Sequence, residues 1–83
     1  MEDLRGTVVI SLAGRDKGRY LVVISSEEGY VYLADGKLRS VASPKKKSIK
    51  HISITKTVFR EDTLQNDKRI RNAIQERFIV EHR

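Results

Sequence analysis

The sequence contains no cysteine, no tryptophan, a single proline and only two histidines. Lack of cysteine removes disulfide frameworks, thiolate zinc sites, iron–sulfur ligation and thiol nucleophiles together, and fits a reducing compartment. His51 and His82 stand 31 residues apart, which is not a metal-ligand spacing. Long apolar runs are missing as well. None exceeds five residues, the length of Tyr20–Ile24, where a membrane helix needs about 20. Met1–Arg5 is acidic and carries no stretch of signal-peptide type, so the expected location is cytoplasmic, away from membranes. The acidic pairs Glu2-Asp3, Glu27-Glu28 and Glu61-Asp62 are chain neighbours in turns or termini. None of them marks a general acid or base, and the expectation is a protein that is not an enzyme and uses no cofactor or metal.

What the 83 residues do contain is enough apolar material for one small core. Leu, Ile, Val and Phe supply 24 positions, above the level at which a charged chain stays disordered. The net charge of +6 is unevenly placed. Residues 1–36 carry four basic and six acidic side chains, and residues 61–83 carry five of each. Residues 37–60 hold eight basic and no acidic side chains: Lys37, Arg39, Lys45, Lys46, Lys47, Lys50, Lys56 and Arg60. An acid-free segment of this kind suits a polyanion, because each neutralised phosphate releases condensed counterions. Anionic membrane would suit it too, but the chain lacks the amphipathic basic helix or lipid anchor that usually accompanies such a patch.

Residues 7–12 and 20–24 are β-branched and aromatic and read as strands. Ser25–Gly29 makes a polar turn before a third strand at residues 30–33. Asp35-Gly36 has the composition of a type I′ turn, which predicts that Lys37–Val41 returns antiparallel as the fourth strand. Pro44 and the lysines break the chain, and alternation over residues 49–57 predicts a fifth strand with Ile52 and Ile54 on one face. Five short, closely spaced strands favour a small SH3-like barrel, since curling the sheet reduces its exposed edges. From Asn66 the period changes. Ile70, Ile74 and Phe78 recur at helical spacing, with Asn66 or Thr63 as the N-cap. The expected architecture is therefore mainly β: a five-stranded barrel over residues 1–58 and a C-terminal helix over residues 63–83, packed across one open end of the barrel.

Gly14-Arg15-Asp16-Lys17-Gly18-Arg19-Tyr20 falls short of a phosphate-binding P-loop. Three residues rather than four separate its glycines, Arg-Tyr follows in place of Lys-Ser/Thr, and the segment joins two strands. It can instead hold Arg15, Lys17 and Arg19 out on a tight connection whose glycines allow close backbone approach.

The stretch Thr7–Val23, alternating strand, Gly-x-x-Lys-Gly loop and alternating strand, resembles a KOW motif. It looks most like the KOW-type RNA-binding proteins of bacteria that are similar to archaeal and eukaryotic large-subunit ribosomal proteins of the fourteen-e, six-e and twenty-seven-e group. The likeness spans residues 5–33 strongly and the rest of the barrel loosely. It implies an SH3-like barrel bound to RNA, commonly ribosomal RNA, with Gly18 matching the family's characteristic glycine after the basic residue. Many KOW sequences carry another glycine a few residues later, where this chain has Tyr20-Leu21.

Five aromatic residues are too few for a stacking platform, and Tyr30 and Tyr32 are the pair that could stack bases or pack across strands. The expected partner is structured RNA on the ribosome, held by its phosphates on Gly14, Arg15, Lys17, Gly18 and Arg19 of the first loop and on Lys45, Lys46, Lys47 and Lys50. The competing expectation is a protein-interaction module that contacts ribosomal or transcription proteins. No helix offers a basic face suited to the DNA major groove.

Overall fold

The run at residues 20–24 shows no polar alternation because both of its faces are covered. Leu21, Val22 and Val23 are all fully buried, as are Val8 and Val9 beside them. In a computed structural model, which describes residues 3–79, these residues lie in the middle of one antiparallel sheet. Its strands are β1 (Thr7–Ser11), β2 (Tyr20–Glu27), β3 (Tyr30–Ala34), β4 (Lys45–Ser48) and β5 (Ile52–Val58), in the order β4-β3-β2-β1-β5. Helix α1 (Asp67–Phe78) follows. The chain is mainly β, with the five strands and C-terminal helix of a small SH3-like barrel.

Two apolar clusters fill the opposite faces of the sheet. Val9, Leu21, Val23, Val31, Leu33 and Ile52 form the barrel interior. On the other face Val8, Val22 and Ala34 make a row across β1, β2 and β3, and Leu64, Ile70 and Ile74 close over it. The helix thus packs on the outer face of the central strands, and the expected position over an open end is corrected. This row of small apolar side chains gives the helix a surface on which to bury Leu64, Ile70 and Ile74. Tyr20 and Phe78 extend this layer, with their rings stacked 4.3 Å apart. Asn66 is the N-cap and accepts hydrogen bonds from the N–H groups of Lys68 (2.8 Å) and Arg69 (3.2 Å).

The fourth strand is not Lys37–Val41. Asp35 does not take the positive φ that a type I′ turn requires. Its carboxylate instead accepts from the N–H groups of Lys37 (2.8 Å) and Arg39 (2.9 Å), folding the segment on itself. The Val41 N–H is taken by the Asp67 carboxylate at 2.7 Å. With residues 37–41 so occupied, Lys45–Ser48 pairs with β3, Leu33 opposite Lys45 and Tyr30 opposite Ser48. Pro44, which has no N–H to donate, sits just before this edge strand, where none is needed. A 3-10 turn at Ile49–His51 then leads into β5. Ile52 is buried but Ile54 is 52% exposed, although regular pairing with Val9–Ser11 keeps both on one face of the edge strand β5.

Candidate nucleic-acid interface

The first loop, residues 12–19, is closed by hydrogen bonds from the Ser11 N–H to the Arg19 carbonyl (3.0 Å) and from the Gly18 N–H to the Ser11 carbonyl (2.8 Å). Inside it, the Lys17 and Arg19 N–H groups donate to the carbonyls of Gly14 and Asp16. Gly18 has a φ of +86°, and a Cβ there would meet nothing within 4 Å. Its glycine is needed for backbone conformation, not for room. Asp16 turns inward, 4% exposed, and its carboxylate lies 3.7 Å from the Arg39 guanidinium. Arg15, Lys17 and Arg19 are exposed around it. The loop's one acid is buried on a basic partner and its three cations face outward.

The structure brings the second basic segment to this loop. The Lys47 ammonium donates to the Ala13 carbonyl at 2.8 Å. The Leu12 N–H donates to the His51 carbonyl at 2.8 Å, which sets the Ile49–His51 turn, with exposed Lys50, against the start of the loop. Lys45 and Lys47 pair with Leu33 and Val31 of the barrel interior. Their stems therefore lie on that side of an edge strand, half-buried.

Lys46 points to the opposite face. Its ammonium lies 3.4 Å from the Glu27 carboxylate and 4.5 Å from the centre of the Tyr30 ring, while the Tyr32 hydroxyl donates to the same carboxylate at 3.1 Å. The Lys46 ammonium is held above its ordinary pKa, first by Tyr32 and then by Glu27. Of the nine residues expected at the site, Lys46 is thus separated from the others and supplied with a counter-charge. Tyr30 and Tyr32 serve this cluster.

Arg19 marks the loop's other flank. There it lines a cleft of about 290 Å³ together with Lys37 and Arg71 of α1. Lys37 belongs to the acid-free segment, but nothing in the charge-neutral helix sequence singles out Arg71. Among the described residues Arg19, Lys37 and Arg71 form no ion pair within 4.0 Å.

No protein-family model and no curated protein matches the chain. Among the described residues no helix is long and apolar enough to cross a membrane. His51 is exposed and takes part through its backbone carbonyl alone; His82 lies outside the described residues.

Proposed function

We propose that the protein binds structured RNA through the phosphate backbone, as a non-enzymatic, cytoplasmic, ribosome-associated factor of the KOW type that residues 5–33 resemble. The hydrogen bond from Lys47 to Ala13 carries this reading, because it joins two basic segments far apart in sequence into one surface. Arg15, Lys17, Arg19, Lys45, Lys47 and Lys50 then form one group of cations. Lysine and arginine on loops and an edge strand suit the oxygen-rich backbone of a folded RNA; they provide little base-edge readout. Six neutralised phosphates give a log–log salt slope of about −4 to −5.5.

The test is co-sedimentation of the protein with ribosomal particles at low and high salt, with and without ribonuclease, alongside a salt titration of RNA binding. Release from large-subunit fractions by salt and by ribonuclease, with a slope in that range, is the expected outcome. A slope near zero removes the basic surface from the mechanism.

The edge strand β5 favours a second reading. Ile54 and Val58 are 52% and 63% exposed there, a surface suited to a protein partner by strand pairing or apolar contact. Retention on one protein after ribonuclease and high salt would select that reading.

A further inference from the structure

The cleft beside Arg19 has a composition different from the rest of the basic surface. Tyr20, Ile74 and Ile79 give it apolar walls, and Arg19, Lys37 and Arg71 place three cations around them. The one carboxylate of the lining, Asp35, is directed at the N–H groups of its own turn. Arg71 is fixed in place by donating to the Gly36 carbonyl at 2.8 Å. That wall is rigid: a Cβ on Gly36 would come within 2.1 Å of the Asp67 carbonyl oxygen, so turn and helix are in direct backbone contact. An apolar slot with cations at its rim matches a flat ring that carries phosphate. At about 290 Å³ the slot lies at the small end of ligand sites, room for one nucleotide and not for a run of them.

We propose that this cleft receives a single unstacked nucleotide of the bound RNA, with its base against Tyr20, Ile74 and Ile79 and its phosphates on Arg19, Lys37 and Arg71. The inference rests on the RNA-binding reading and deepens it. Gly18 and Arg19 belong both to the first loop and to the cleft, so a backbone held on the loop passes the cleft mouth. Proteins that discriminate among RNAs commonly do so at bulges and loops, where a base already lies outside the stack and costs little to insert. The ligand is therefore a helical RNA with a bulged nucleotide.

The test compares, by fluorescence anisotropy on the full chain, a fully paired RNA hairpin, the same hairpin with one bulged nucleotide, and that hairpin with the bulged base removed. The bulge is expected to tighten binding about tenfold, the worth of one stacked base, and the abasic bulge to lose that gain. Gln75→Trp, on an exposed helix position at the cleft, should abolish the gain while leaving the paired hairpin's affinity and salt slope unchanged. Equal affinity for paired and bulged hairpins overturns the cleft proposal and leaves phosphate binding standing. A gain that survives in Gln75→Trp, or with the abasic bulge, also overturns it. Failure of all three RNAs to bind at low salt overturns the RNA-binding reading and the cleft with it.

Discussion

Adjacent residues of one lysine run have different electrostatic surroundings. Lys46 is matched with Glu27 and lies over Tyr30; Lys50, exposed on the turn beside the loop, has no acidic partner within 4.0 Å among the described residues. A phosphate reaching Lys46 must displace a carboxylate first, and the net release of counterions is small. Lys50→Ala should therefore make the RNA salt slope shallower by about 0.7–0.9, one phosphate's worth, whereas Lys46→Ala leaves it unchanged within error. Gly36 permits a different residue-scale prediction. Its φ is +78°, and the position of a Cβ is already filled by helix backbone. Gly36→Ala should cost at least about 2 kcal/mol, because strain and collision act together; urea denaturation measures it. The sequence marks this glycine clearly as a turn residue. It does not show that the turn presses on a helix about 30 residues later, since the contact depends on tertiary packing alone.

At the scale of elements, the features with local causes are those a reader of the sequence can find. β1, β2 and β3 follow from β-branched and aromatic runs, and the start of α1 from Asn66 and the change to helical period. The position of β4 has no local cause: Lys45–Ser48 has poor strand propensity and forms because β3 offers a partner and residues 37–41 are engaged elsewhere. The side of the barrel that the helix covers was nonetheless written in the unbroken apolar run at residues 20–24, which signals a strand buried on both faces. A pairing of charged groups distant in sequence ties the neighbouring strands β5, β1 and β2 together. Arg5, just before β1, makes a two-pronged bond to Glu61, which follows β5, and also donates to the Ile24 carbonyl. The Arg5 hydrogen bond holds the Glu61 carboxyl below the usual carboxylate range. This contribution to stability is present above that range and is lost as pH falls through the lowered folded-state value. In thermal melts taken between about pH 6 and pH 3, Glu61→Gln should flatten part of the acid-side fall in Tm. The effect should be small, because the pair is exposed to solvent.

For the whole molecule, the uneven charge was legible from composition, but its shape was not. The sequence locates the cations in a central segment and a loop. Folding buries Asp16 with Arg39, pairs Lys46 with Glu27, and adds Lys37 and Arg71 at the flank of Arg19. Arg71 comes from a helix of balanced charge, so no count along the chain can reveal it; its role depends on where the helix docks.

The lysines of β4 have one more effect, on how copies of the protein meet. β4 is an open edge of the sheet, with backbone groups available to another strand, and three consecutive charged side chains make such pairing unfavourable. The opposite edge, β5, has a single lysine, Lys56, between exposed Ile54 and Val58. Replacing Lys45, Lys46 and Lys47 together by Ala should therefore cause self-association as well as weaker RNA binding, visible by light scattering as growth in size with concentration. Lys45 and Lys47 would hold RNA, and together with Lys46 they would keep the free protein monodisperse until RNA is met.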